Sequence, residues 1–307
     1  MALFNLPYIN HGEAPLMIQD LVSYVRLALI EAGHDVYVGP FVEPQAINIL
    51  IEGFSEATTN ILLAYASMGV KIVIIASEVV TGGTFNDFKT TDNGAARYAP
   101  HRDWDERYWN FLKVAEACKT VWCLCREQLK GYAEVLPPSW LHHLPFGYVS
   151  GYGEVQQLPP RLKDIDFIFT GSSTGYRERI MKELERKGFR IMSRKHVLPS
   201  FFRANLVARA KICLGLKHYK EWKYSSLLRN YYHLMNGCFM LAESCEIPSV
   251  VDDYIEKADP DTFISACVEA QKRPDLGELA AQNLDRYRQE VPLKPLFAAL
   301  LEQSLAT

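Results

Sequence analysis

The chain has 307 residues, 49% hydrophobic and 22% charged, with 33 Lys and Arg against 36 Asp and Glu for a formal net charge of −3. That length suits two domains of about 150 residues, and the charge gives no overall pull towards nucleic acid. No stretch approaches the roughly 18 apolar residues of a membrane span, and the opening MALFNLPYINHGEAP is not expected to act as a secretory signal.

In chain order, apolar runs alternate with helical patterns, the signature of βαβ units and a parallel sheet. Residues 2–9 read as the first strand, with a polar loop over 10–15. Ile18, Leu21, Val22, Val25 and Leu29 recur at helical spacing and predict a helix over 16–32, capped by Gly33. Strands are expected at 34–39 (HDVYVG) and 46–51 (AINILI), and a helix at 58–68. The run 70–77 (VKIVIIAS) is nearly all apolar, as in a central parallel strand buried on both faces. Residues 81–102, rich in Gly, Asn, Thr and Asp, read as a long functional loop, followed by a helix over 104–118 and a strand over 120–125. Little periodicity survives in 136–160, where Pro137, Pro138, Pro145, Pro159 and Pro160 mark the interdomain connection.

The alternation then restarts. Strands are expected at 165–170 (IDFIFT), 189–193, 211–216 (KICLGL) and 238–243 (CFMLAE), and helices at 176–187, 199–210, 225–236, 261–271, 277–290 and 296–305. The expected fold class is α/β, two Rossmann-like domains facing each other across a cleft. Their bounds are 1–145 and 146–290, with a C-terminal helix in 291–307 packing back on the first. Ligands of such sheets sit outside the carboxyl ends of the strands.

Two segments carry chemistry. In the first, Gly171 and Gly175 flank Ser172, Ser173 and Thr174 between a strand and a helix. Free N–H groups and the helix dipole favour an anion there, and Arg177 adds a charge. In the second, the strand at 211–216 delivers Lys217, His218 and Lys220 to its carboxyl end. Ser225 and Ser226 are expected to open a helix, with Arg229 one turn in, so that Arg229 and Lys217 complete a diphosphate site. Glu243 ends the next strand, where a carboxylate can accept both hydroxyls of a ribose. Other motifs are weaker. Asp103-Trp-Asp105 is a D-x-D triplet at a helix start, where capping explains it. His142 and His143 read as structural. No G-x-G-x-x-G occurs. The seven cysteines, without a C-x-x-C pair, are expected as buried free thiols, with Cys123 and Cys125 on one strand face.

On these residues the chain resembles the GT-B glycosyltransferases, and its C-terminal half resembles the CgeB-like, family-1-like group. Residues 27–38 (LALIEAGHDVYV) are similar to the L…L…GHxVxV start of the acceptor-side domain, and 166–175 (DFIFTGSSTG) to the first strand and turn of the donor domain. Residues 226–243 (SLLRNYYHLMNGCFMLAE) are similar to S-x-R-x-x-E-x-x-x-x-G-x-x-x-x-x-E, with Arg229, Gly237 and Glu243 in register, and 144–147 (LPFG) to the interdomain PxG tail. Leu227 stands at the pattern's serine. Tyr224 and Tyr232 stand where many retaining members carry two glutamates.

The resemblance implies a glycosyltransferase, hexosyl or related. It would move a sugar from a nucleoside-diphosphate sugar, such as a UDP-sugar, to a glycan, lipid-linked or protein acceptor. It implies no metal and no other cofactor, and inversion, since the glutamate pair is missing. A nucleotide-sugar epimerase or hydrolase and a non-catalytic nucleotide-sugar-binding module are the alternatives within the fold. The donor would be held by Gly171, Ser172, Ser173, Arg177, Lys217, His218, Ser225, Ser226, Arg229 and Glu243, the last on the ribose. The catalytic base is expected just after an N-domain strand. Glu78, partly desolvated at the end of the 70–77 strand, is the first choice, followed by His11 and Glu13. The expected setting is cytoplasmic, with no nucleic-acid partner. A peripheral membrane contact would use Trp104, Tyr108 and Trp109, for which helix packing is the other reading.

Overall fold

The apolar runs form two parallel sheets, one in each of two units: Met1–Val149 with Leu293–Thr307, and Ser150–Pro292. The computed structural model describes residues 1–11, 15–86, 101–193 and 198–305, without the side chains of 101–103. Glu13, the Asp103 side chain and most of the expected 81–102 loop lie outside the described residues.

The first unit runs β1 (Leu3–Pro7), α1 (Gln19–Glu31), β2 (Asp35–Gly39), β3 (Ile47–Ile51), α2 (Glu56–Ser67), β4 (Ile72–Ala76), β5 (Val80–Thr81), β6 (Thr84–Phe85), α3 (His101–Cys118), β7 (Val121–Cys123), α4 (Gln128–Ala133) and β8 (Leu141–His143). Its six-stranded sheet has the order β2-β1-β3-β4-β7-β8, parallel throughout. All of β4 is buried. Ile72, Ile74 and Ala76 pack with Leu62 of α2 and Phe111 and Val114 of α3. Ile75 joins Leu6, Ile49 and Ile51 opposite Leu21 and Val25 of α1. Helices on both faces explain why this strand reads as a continuous apolar run. Between β1 and β3 a buried amide pair fixes the register: Asn5 Nδ2 donates to Asn48 Oδ1 at 2.8 Å.

Three local expectations change. β5 and β6 make a short antiparallel hairpin in the segment read as loop. β8 lies inside the segment read as the interdomain connection and pairs with β7. Cys125 falls beyond the end of β7, so it does not share a strand face with Cys123. Trp104 and Tyr108 are buried in the first unit's core, while Trp109 is 59% exposed. Helix packing is therefore the right account of the first two. No helix of the described residues is long and apolar enough to cross a membrane.

The second unit runs β9 (Ile165–Phe169), α5 (Gly175–Arg186), β10 (Ile191–Ser193), α6 (Ser200–Ala208), β11 (Ala210–Gly215), α7 (Leu227–Met235), β12 (Met240–Glu243), β13 (Glu256–Ala258), α8 (Phe263–Ala270) and α9 (Leu276–Glu290). The sheet order is β10-β9-β11-β12-β13, again parallel. Phe167, Ile212 and Leu241 pack against Leu184 of α5 and Phe263 and Cys267 of α8. Each sheet reverses its direction of growth once, between β1 and β3 in the first and between β9 and β11 in the second. Doubly wound, Rossmann-like sheets bind ligands outside the carboxyl ends of the strands at that point. The last helix, α10 (Leu293–Leu305), belongs to the first unit. Phe297 meets the buried Trp122 ring edge-on at 5.9 Å, and Trp122 Nε1 donates to Ser304 Oγ at 3.1 Å.

Candidate functional site

In the second unit the switch point lies between the β9–α5 turn and the segment after β11. Thr174 caps α5, its hydroxyl oxygen accepting from the Arg177 N–H at 3.3 Å and donating to the His218 carbonyl at 2.8 Å. One side chain thus closes the helix end and ties the two segments together. Ser173 turns to Glu178, donating to its Oε1 at 2.7 Å.

Arg177, expected as a diphosphate ligand, is a buried clamp. Its Nε donates to the Lys217 carbonyl at 2.8 Å, Nη1 to the Ser172 carbonyl at 2.8 Å and Nη2 to the Leu216 carbonyl at 3.1 Å. These bonds fix both segments and leave its positive charge between them. The Phe169 ring, at the end of β9, carries Arg177 at 5.1 Å and Arg229 at 4.8 Å. Arg229 donates through Nη1 to the Leu216 carbonyl at 3.4 Å and, among the described residues, joins no ion pair. Burial, and then the Arg177 charge, pull its pKa down. Two guanidinium groups on one ring repel each other, and an anion between or beside them relieves that repulsion. A Cβ on Gly171 would collide with the Arg229 guanidinium and come within 2.6 Å of Phe169 Cζ. Glycine at this turn is what lets Arg229 lie over it.

An open pocket with about 270 Å³ of empty space adjoins these groups. Arg177, Lys217, His218, Ser225, Ser226 and Glu243 line it; Gly171, Ser172, Ser173 and Arg229 stand outside its lining. Glu243 is buried, and both its oxygens are engaged: Oε1 accepts from the Tyr176 hydroxyl and Oε2 from the Lys217 N–H at 2.7 Å. Desolvation raises its pKa against those bonds. Each oxygen keeps a further acceptor position. Burial, Arg177 and Arg229 push His218 down to about 4, so its imidazole is neutral at pH 7. The His218, Tyr219, Trp222 and Tyr224 rings form a chain, with Trp222 centred 5.9 Å from His218, 5.6 Å from Tyr219 and 5.7 Å from Tyr224.

Of the two serines, Ser226 is the N-cap of the helix and Ser225 lies just before it. α7 starts at Leu227, and Ser226 caps it without a side-chain bond. Ser225 donates to Asp252 Oδ1 at 2.7 Å and accepts from Asn230 Nδ2 at 3.0 Å, so its hydroxyl is held by the protein. Lys220 pairs with Asp261 and Lys223 with Glu246, the solvated arrangement of a surface loop. Tyr232 donates to Glu154 Oε1 at 2.8 Å beneath Arg203, which lies 3.8 Å from its ring centre.

The first unit carries a separate group at its own switch point. Glu78 follows β4: Oε1 accepts from Arg107 Nη2 at 3.1 Å and Oε2 from Asn86 Nδ2 at 2.7 Å. The buried, desolvated carboxylate here is not Glu78 but Glu52, directly after β3. Its Oε1 accepts from Arg107 Nη2 at 2.8 Å, and its Oε2 accepts from Ser77 N–H and Oγ–H, both at 2.5 Å. Burial and the Glu78 charge push Glu52 up to about 7, against the pull of Arg107 and Ser77. His11 Nε2 lies 3.3 Å from the Ile51 carbonyl, and burial lowers its pKa. Its ring sits over Gly53, whose φ of +128° suits glycine and where a Cβ would lie 3.2 Å from His11 Cε1. Glu52 and Arg107 went unread in the sequence. Glu52 ends an apolar strand just as Glu78 does, and that rule applied evenly selects both.

No protein-family profile matches the chain, and no curated protein matches it. Among solved structures it is similar to UDP-N-acetylglucosamine 2-epimerase, at 11% identity and a TM-score of 0.49 over 99% of this chain and 97% of that one. It is similar to a UDP-forming α,α-trehalose-phosphate synthase from Burkholderia xenovorans, at 8% identity and a TM-score of 0.49 over 86% and 75%. Against TarM the values are 9% and 0.48, with 84% of this chain covered. The chain spans 54% of the length of TarM, about half.

Proposed function

We propose that the protein is a GT-B glycosyltransferase that moves a sugar from a nucleoside-diphosphate sugar to a glycan, lipid-linked or protein acceptor. The observation that carries this reading is the pair of guanidinium groups on Phe169, beside Gly171 and the capped N-terminus of α5. Arg229 there has no acidic partner among the described residues. Glycosyl transfer from such a donor leaves a nucleoside diphosphate, and cationic and N–H donors already in place stabilise that developing charge. Arg229 is assigned to the diphosphate directly, Lys217 to its outer oxygens, and Arg177 to holding the two segments with its charge inward. The aromatic chain around Trp222 suits the base, and Glu243 the ribose through its remaining acceptor positions. The acceptor's proton, in an inverting reaction, is assigned to the carboxylate group of the first unit, with Glu52 joining Glu78, His11 and Glu13 as candidates.

The test is incubation with a panel of nucleotide sugars, followed by chromatography of the products. Slow release of one nucleoside diphosphate, sped by an acceptor, is the expected result. An altered sugar still attached to its nucleotide would make the protein an epimerase. Ligand-induced thermal stabilisation without turnover would make it a binding module. No shift and no turnover with any nucleotide sugar would end the reading.

A further inference from the structure

Behind the β9–α5 turn lies a cluster that the proposed reaction does not use. Cys213 of β11, His233 of α7 and Cys238, just before β12, are all buried, with one donor atom of each within 4.8 Å of the others. Strand pairing brings the two cysteines together: Cys213 sits opposite Met240, and its N–H donates to the Phe239 carbonyl at 2.9 Å. Their sequence spacing resembles no metal motif, which is why the sequence reads them as inert thiols.

The surroundings argue for more than packing. His233 Nε2 lies 3.0 Å from Thr170 Oγ1, and the His233 side chain meets Cys238 across the cluster. A histidine metal ligand characteristically has its second nitrogen held by a neighbouring oxygen, which fixes ring orientation and tautomer. Thr170 supplies that oxygen. Gln157 Nε2 donates to Cys238 Sγ at 3.2 Å, as donors to a metal-bound thiolate do. Lys163 Nζ orients that amide through Gln157 Oε1 at 2.8 Å and is itself held by the Ala210 carbonyl at 2.9 Å.

We propose that Cys213, His233 and Cys238 form a site for a thiophilic d¹⁰ cation, three-coordinate copper(I) or zinc completed by one non-protein ligand, beneath the β9–α5 turn. Two thiolates and an imidazole are soft donors that select such ions over calcium or magnesium. Zinc bond lengths of about 2.3 Å to sulfur and 2.0–2.1 Å to nitrogen place tetrahedral donors roughly 3.5–3.8 Å apart, within small side-chain adjustments of the cluster. On binding, both thiols lose their protons to solvent, and the Lys163 ammonium offsets part of the thiolate charge. Through Thr170 and α7 the ion would brace the turn that carries Gly171 and the helix that carries Arg229. The proposal stands apart from the transferase reading, since its readout is metal.

The full chain is purified reduced and without chelator, desalted, and assayed for metal. It is then stripped and reloaded with zinc, with copper(I), and with cobalt(II) as a spectroscopic probe. Stoichiometric zinc or copper is expected, with a thiolate-to-cobalt charge-transfer band; which ion is retained distinguishes the two. Cys213→Ser and Cys238→Ser should abolish binding. The half-buried Gln157→Ala leaves the ligands in place and should lower affinity by about 10–100-fold, the usual range for such supporting groups. Only trace metal in the reduced, reloaded wild-type chain would overturn the site, whatever the cysteine variants do. So would stoichiometric metal that survives unchanged in both cysteine variants.

Discussion

Glu52 shows most clearly how position sets chemistry. It and Glu78 each follow a buried strand and share Arg107; Glu52 is 2% exposed and is pushed up to about 7. Desolvation disfavours its ionised form, and the second carboxylate adds repulsion that one guanidinium does not cancel. This carries a stability signature. The group takes up its proton near pH 4.5 when unfolded and near 7 when folded. Between those values the folded chain binds more protons. The contribution is therefore full below pH 4.5 and is lost as the pH rises through 7. Glu52→Gln removes that titration. The stability difference, wild type minus variant, should fall by about 1–3 kcal/mol between pH 4.5 and 8, read from urea unfolding at each pH. A difference that is flat, or that grows with pH, would contradict the placement of Glu52.

The turn between β9 and α5 shows what an element can disclose through its sequence. Glycines, hydroxyl residues and a following helical pattern located the turn and its anion-favouring helix end, because those signals are local. What Arg177 does there was not legible, since its partners are the carbonyls of Ser172, Leu216 and Lys217, brought close only by the pairing of β9 with β11. Ser225 misled for the same reason: Asp252, 27 positions further on, takes its hydroxyl. β4 was easy to read because burial on both faces leaves an unbroken apolar run, and β11 because it is apolar beyond Lys211, whereas β8 and β13 have only three residues each and exposed or half-buried side chains. Thr174 offers a test at this scale. Thr174→Ala removes the α5 cap and the bond to the His218 carbonyl, and should cost about 1–2 kcal/mol by chemical denaturation. Thr174→Ser should recover most of it. An alanine variant as stable as wild type would mean that the cap does not join the two segments.

At the scale of the whole molecule, one strand order, built twice, gives two switch points, and the chain returns to finish the unit it began. The doubling was plain from the alternation, as was a helix near the C-terminus. That this helix completes the first sheet's cover depends on Trp122, whose buried ring meets Phe297 and whose indole N–H needs Ser304. Phe297→Ala should cost about 3–5 kcal/mol, the usual loss for a buried phenylalanine, in an unfolding titration of the full chain. A loss under about 1 kcal/mol would place α10 outside that core. The central claim concerns the other unit: that Arg229, without an acidic partner among the described residues, awaits a diphosphate over the Gly171 turn. Titration calorimetry of nucleoside diphosphates into wild type and Arg229→Ala tests it directly. Wild type should bind at least one of them, and the variant should bind it more weakly by about 1.5–3 kcal/mol, the range for hydrogen bonds to a charged group. Equal affinity in the two proteins would contradict the account.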